Sequence, residues 1–499
     1  MNNLNMTEGR PLPVIFRFMV PLLLGTICQQ LYTVADSAVV GRFVGATALG
    51  SVGMVSGVCN LLLALCVGLS GGVNIYASQC FGAGRAETLR AVVRNSIFVT
   101  IIVGAAMSLI GICLTKPVLH AMGTPAMNMR YAQVYMRIVC GGMLVTAFYN
   151  TFSQLLRAVG DSATPLYAVM ASSVTNVVLD LLLVAVFHTG VAGAAAATVA
   201  SQILSVAWLY VRGLRRHESL MPLRAGGADP DVSSSKMPKV PGSHKNSINK
   251  IHRGFTICLS EPDTISPFSP QPRQDRANLH RPDNRRIIKM ICLLGIPLAI
   301  QNAMGSITGV IIQRVVNSFG SEMMSAYTVA GRVNELFLLP LSSLGVAIAN
   351  FAGQNTGAGR FDRIAEGVRK CFLVEMLYSF VCLMVILLFG RNLAGIFVKD
   401  TDVIQTAVPG LIVYGLCIFI SSLVFLYKAT LNGAGDAVFT MWNGLAEVAG
   451  SILFLMLFLH VFHLGENSIW FSHIPTVIVA ALMAYLRYRS GGWKKGLEA

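Results

Sequence analysis

Apolar residues gather in twelve blocks along the chain, parted by short polar breaks and one long polar stretch. In the first half the blocks run roughly over 18–40, 48–77, 96–115, 131–154, 165–187 and 190–211. In the second they cover roughly 290–313, 323–352, 371–390, 403–430, 438–461 and 468–486. A helix needs about 20 residues to cross a hydrocarbon layer of about 30 Å, and most of these blocks meet that length. In hydrocarbon a helix satisfies its own backbone hydrogen bonds within one segment, so helices are the natural assignment. The pattern predicts an all-α membrane protein with twelve transmembrane helices.

The blocks repeat. Gln79-Cys80-Phe81-Gly82-Ala83-Gly84-Arg85 returns as Gln354-Asn355-Thr356-Gly357-Ala358-Gly359-Arg360, an offset of 275 residues. The same offset carries Gly45 onto Gly320, Arg94 onto Arg369, Gly160-Asp161 onto Gly435-Asp436 and Gly190 onto Gly465. One register held over so long a stretch marks a duplicated unit. Six spans return each half to its starting side, so the copies are parallel repeats about an axis along the membrane normal. The expected architecture is two pseudo-symmetric six-helix bundles: an amino-terminal lobe over 1–213, a cytoplasmic linker over 214–286 and a carboxyl-terminal lobe over 287–499. Residues 217–285 hold nine of the 19 prolines and keep no helical or strand period, so this linker is expected to be disordered.

Composition agrees with the blocks: 54% of residues are hydrophobic and 12% charged, and the mean hydropathy is +0.64. A typical soluble chain carries about 25% charged residues. The net charge of +15 matters through its distribution. Of the 38 Lys and Arg, 30 fall in 1–20, 85–94, 157, 212–290, 360–370, 428 and 487–499. The opposite loops hold Arg42, Lys116, Arg130, Arg391 and Lys399. This positive-inside bias predicts a multi-pass protein of the inner (plasma) membrane with both termini and the linker in the cytoplasm. With no soluble basic domain to carry it, the charge does not imply a nucleic-acid partner. The 11 cysteines include no C-x-x-C pair, and the first apolar block, 18–40, is too long for a signal-peptide core.

Ionisable groups inside spans are the candidate chemistry, because each costs about 2.5–3.5 kcal/mol on insertion scales. Asp36 lies in span 1; Asn176 and Asp180 stand four residues apart on one face of span 5. Asn150 ends span 4 and Thr198 lies in span 6. If these helices meet, two carboxylates with amide and hydroxyl oxygens form a hard-oxygen cluster for Na⁺ or for protons. Polar packing between helices is the competing account for Asn176 and Thr198. For the aspartates the duplication argues otherwise, since the second half has Ile311 or Ile312 and Leu455 at the equivalent places. Arg332 and Glu335 are three apart and read as a structural pair, whereas Glu375 and Lys428 lie near span ends and are expected to snorkel. Gly160-Asp161 and Gly435-Asp436 read as turns in which aspartate caps the next helix. The Gly-Ala-Gly of 82–84 and 357–359 lacks the Lys-Ser or Lys-Thr of a phosphate loop. No nucleophile elbow or zinc helix occurs, so neither an enzyme nor a cofactor is indicated.

Taken together, several segments resemble the multidrug and toxic compound extrusion (MATE) transporters. They are Gln29-Gln30-Leu31-Tyr32 with Asp36 and Val40-Gly41-Arg42, then Gln79 to Gly84, Leu156 to Asp161, and Gly190-Val191-Ala192-Gly193-Ala194-Ala195. The resemblance spans roughly 10–213 and 287–495 and is nearest the DinF-like bacterial branch. It implies a two-lobed exporter of amphiphilic or cationic drugs, an antiporter driven by inward Na⁺ or H⁺. It also implies that Asp36, Asn150, Asn176, Asp180 and Thr198 form the coupling-cation site. The partners so expected are a small-molecule substrate, a monovalent cation and the bilayer, with the protein acting as a monomer. The alternative within the same superfamily is a flippase for lipid-linked precursors or polysaccharide, which wants a strongly cationic central cavity. Span 12 departs from the family: Glu466-Asn467-Ser468-Ile469-Trp470 stands where a glycine-containing turn is usual, so this helix is expected to be shifted or looser.

Overall fold

The computed structural model describes residues 4–217, 219–220 and 283–495, which form helices and no strand. Most of the expected linker lies outside the described residues. The first lobe consists of α1 (Pro11–Phe43), α2 (Ala46–Gly82), α3 (Ala86–Ala121), α4 (Ala126–Gly141), α5 (Met143–Ala158), α6 (Ala163–Asp180) and α7 (Val191–Trp208). The second consists of α8 (Asn284–Ser318), α9 (Ser321–Gly357), α10 (Phe361–Gly395), α11 (Thr401–Ala434), α12 (Ala437–His460), α13 (Asn467–Phe471) and α14 (His473–Ser490).

Eleven helical stretches among the described residues are long and apolar enough to span a bilayer. The twelfth span is α4 with α5, broken at Gly142. There the backbone N–H bonds back to Ile138 and Val139 (3.0 and 3.1 Å), and a Cβ would lie 2.5 Å from Val199 of α7. Glycine is what lets α7 pass so close. The last span is also split, at Ser472, between α13 and α14. At Glu466–Trp470 the span opens with the short α13, which runs on into α14 through Ser472, whose N–H bonds to Ser468 O at 3.1 Å. The span is anchored rather than loose: Trp470 is buried against Gly410 of α11, where a Cβ would come within 2.6 Å of its ring, and Tyr414 meets it edge-on.

The two halves interlock. Each first helix packs on the fifth span of its own half, α1 on α6 and α8 on α12. Each also packs on the second span of the other half, α1 on α9 and α8 on α2. The tightest crossing is α2 with α9 on the pseudo-two-fold. A Cβ on Gly82 would sit 1.9 Å from the Gln354 carbonyl oxygen, and one on Gly357 would sit 2.0 Å from that of Gln79. The hydrogen bonds obey the same symmetry: Gln79 Nε2 donates to Gly433 O (3.0 Å) and Gln354 Nε2 to Ala158 O (2.9 Å). Asn74 Nδ2 donates to Asn350 Oδ1 (3.0 Å) a turn and a half away.

These contacts cluster at the end that carries both termini. Residues before α1 join them: Met6 N–H donates to Gln354 Oε1 (2.9 Å), Asn355 Nδ2 donates to Met6 O (3.1 Å), and Arg363 donates to the carbonyls of Met6, Glu8 and Gly9. Toward the other end only Gln30 Nε2 to Glu335 Oε1 (3.3 Å) joins the lobes by a hydrogen bond among the described residues. Beyond it Leu31, Val34, Ile307 and Val310 are exposed.

The glycines of both turns adopt left-handed backbone, but only the first aspartate caps the next helix; Asp436 makes no cap hydrogen bond among the described residues. Gly160 has φ +88° and packs where a Cβ would meet Leu4 O at 2.1 Å. Asp161 accepts from the N–H of Ala163 (3.1 Å) and Thr164 (2.9 Å), from the Thr164 hydroxyl (2.6 Å) and from His217 Nε2 (3.1 Å). Burial pushes this carboxyl up, but the bonds from His217 and Thr164 outweigh it and hold the acid below its ordinary value. Asp436, its counterpart, takes Arg487 Nε at 2.7 Å.

Two expectations follow for the purified protein. Gly82→Ala and Gly357→Ala each force a methyl against a main-chain oxygen, and overpacking of this kind costs about 1–3 kcal/mol. Each should lower the melting temperature in detergent; unchanged melting would mean that the α2–α9 crossing yields. For Asp161→Asn, the stability lost is that of a group with a depressed folded value, complete above the unfolded value of about 3.9 and lost as pH falls through the folded one. The melting gap between wild type and variant should therefore be widest near neutrality and shrink on acidification toward pH ~3. A gap independent of pH would refute the charged role.

Candidate functional site

Asp36 sits in the second half of α1, and Asp180 is the last residue of α6. Because α1 packs along α6, the two carboxyl groups come close enough to act on each other. Asp180 and Asn176 are buried, and Asp36 is half-buried. With its amide oriented to satisfy both neighbours, Asn176 donates to Asp180 Oδ2 (3.2 Å) and accepts from the backbone N–H of Thr198 (3.3 Å). The Oδ1 atoms of Asp36 and Asp180 are buried without a hydrogen-bond partner. Directly after Asp180 the helix widens to an i→i+5 turn over Leu181–Val186, with Phe187 N bonded to Leu182 O at 3.0 Å. Such turns often mark functional sites.

Of the five residues singled out in sequence, the structure brings Asp36, Asn176, Asp180 and Thr198 together, the last through its backbone. The Thr198 hydroxyl is spent on Ala194 O in its own helix (3.1 Å). The amide of Asn150 donates to Thr146 O in α5 (2.8 Å), and no hydrogen bond among the described residues links it to the carboxyl pair. Sequence reasoning missed Tyr135 of α4, which with Tyr32 lies in the electrostatic field of both acids. No sequence signal pointed to Tyr135, since its approach depends on how α4 tilts. Chemically the cluster can hold a proton, or present two free carboxyl oxygens to a small cation. Among the described residues no group of three or more His, Cys, Asp and Glu could hold a metal ion.

The second lobe holds a cavity of about 750 Å³ between α8, α9, α11, α12 and α14. Lys428 of α11 and Glu447 of α12 meet on its wall at 3.4 Å. Lys428 therefore does not snorkel, contrary to its reading in sequence, because Glu447 offers a closer partner than the membrane surface. Glu375 does not snorkel either: it is fully buried in α10, and neither oxygen has a partner. Arg332 and Glu335 do pair, at 3.3 Å, but both are exposed, and Glu335 also accepts from Gln30 of the other lobe.

The chain is similar throughout its length to known transporters. It is 24% identical to the probable multidrug resistance protein YoeA of Bacillus subtilis, with 98% of this chain and 96% of that protein aligned. It is 21% identical to the probable multidrug resistance protein NorM of Thermotoga maritima, over 96% and 93% of the two chains. An outward-facing structure of a multidrug resistance MATE family transporter superposes with a TM-score of 0.82 at 20% identity, covering 99% of both chains. The sequence signature of the MatE family matches twice, over residues 21–182 and 297–459, once in each lobe. With both halves matched and the fold shared, the chain belongs to the MatE family of membrane transporters.

Proposed function

We propose that this protein is a secondary antiporter that exports amphiphilic, often cationic, drugs or toxic organic compounds in exchange for inward Na⁺ or H⁺. The observation that carries this reading is the meeting of Asp36 and Asp180 inside the span bundle, each with an unpartnered oxygen. Two ionised carboxylates at that distance repel, and each charge inside the membrane costs about 2.5–3.5 kcal/mol. A proton or Na⁺ between them removes that penalty. The loaded cluster thus favours the arrangement with α1 drawn against α6, and the empty one favours their separation. Coupling requires only that the ion bind one arrangement better than the other. The names of the relatives support multidrug export, and the basic loops favour a cytoplasmic setting for the joined end of the lobes.

A flippase for anionic lipid-linked precursors wants excess positive charge in its central space. Here Lys428 faces Glu447 and Arg332 faces Glu335, so the charges balance. This supports the drug exporter.

Inverted membrane vesicles given a Na⁺ gradient or a pH gradient, one at a time, should accumulate a fluorescent cationic dye under one of the two. Accumulation under neither, with folded protein present, would overturn the proposal. Coupling energies of about 1–3 kcal/mol correspond to about 5–150-fold. Asp36→Asn and Asp180→Asn should each lower gradient-driven accumulation by at least about tenfold, with expression and melting temperature retained. Full accumulation in both variants would remove the cluster from the mechanism.

A further inference from the structure

The coupling scheme leaves one ion pair unused. Lys428 and Glu447 stand on the wall of the second-lobe cavity, 17% and 41% exposed. The pair is not demanded by the scaffold, since the offset of 275 residues places Ser153 and Ser172 at the equivalent positions of the first lobe. Nor does it add much stability, because ion pairs open to solvent contribute about 0–1 kcal/mol. Gly444 lies one turn before Glu447, and a Cβ there would stand 3.9 Å from Lys428 Nζ and 3.3 Å from Gln301 Cγ. Around the pair the cavity is amide-rich and aromatic, with Asn302, Asn432, Tyr327, Tyr414 and Phe425 on its walls. Its volume of about 750 Å³ suits a drug-sized organic molecule.

Charge balance then decides which class of molecule fits. A purely cationic ligand that takes Glu447 leaves Lys428 without its partner. A purely anionic ligand that takes Lys428 strands Glu447. Lys428, only 17% exposed, is the member least able to replace a lost partner with water, so a ligand that takes Glu447 alone is disfavoured. A molecule carrying both an ammonium and a carboxylate exchanges one pair for two and leaves no charge over. We infer that the Lys428–Glu447 pair is a substrate anchor for zwitterionic, aromatic amphiphiles, with the carboxylate of the ligand on Lys428 and its ammonium on Glu447. The inference deepens the export reading and rests on it for the direction of transport, but binding itself does not depend on that reading.

The test is equilibrium binding to the full-length protein in lipid nanodiscs, read by fluorescence anisotropy. Two probes are compared: a coumarin bearing one ammonium and one carboxylate, and its methyl ester, which keeps only the ammonium. Wild type should bind the zwitterion at least about tenfold more tightly than the ester. Lys428→Gln should erase that preference, whereas the exchanged pair Lys428→Glu with Glu447→Lys should restore it. Equal binding of the two probes by wild type, or a preference that survives Lys428→Gln, would overturn the inference. Failure of dye accumulation with the zwitterion preference intact would strike the export reading alone. Normal dye accumulation without the preference would strike this inference alone.

Discussion

A contact between glycine and a main-chain carbonyl, made twice across the pseudo-two-fold, determines how the lobes of this transporter meet. Gly82 lies on the Gln354 carbonyl and Gly357 on that of Gln79, closer than any side chain allows. At that approach the amides of Gln79 and Gln354 reach carbonyls on the opposite lobe, so the crossing is close and polar. A buried polar group left unmade costs about 1–3 kcal/mol, so the lobes cannot part here unless water or new partners replace these bonds. The far end has no comparable set among the described residues. The asymmetry between a bonded end and an open one follows from this single crossing.

On a symmetric scaffold the charges are distributed unsymmetrically. Asp36 and Asp180 belong to the first lobe, while Lys428 and Glu447 belong to the second, and in each case the other lobe has uncharged residues in the equivalent places. The frame of glycines, amides and capping turns is shared by both copies. One lobe therefore carries the carboxyl pair, and the other a cavity of about 750 Å³ with a charge-balanced pair on its wall. Between them lie α1 and α8, each of which packs on helices of both halves.

Much of this was legible in the residues. Block length revealed the spans, and the register of 275 residues revealed the two lobes, because both are one-dimensional properties. Helix lengths were not legible: seven helices run 33–37 residues, since turns at glycine end them rather than the edge of the apolar block. The break at Gly142 was hidden inside the continuous block 131–154, because it arises from the approach of Val199 in another span. The exchange of first helices between halves was equally invisible, since hydropathy says nothing about neighbours. For the site, comparison of the halves found the two aspartates. The same comparison would have found Lys428 and Glu447 against Ser153 and Ser172, had position near a block end not suggested snorkelling. Asn150 matched by residue type, yet its amide is occupied in its own helix.

The short segment ahead of α1 has a consequence of its own. Met6, Glu8 and Gly9 lend their carbonyls to Asn355 and Arg363, so residues that precede the first helix form part of the seam between the lobes. Their bonds use the main chain, and almost any side chain there preserves them. What the seam requires of this stretch is its length and path. Lengthening or shortening it by one residue would act like changing the throw of a latch, altering how firmly the lobes are held at this end while the carboxyl pair and the cavity stay as they are.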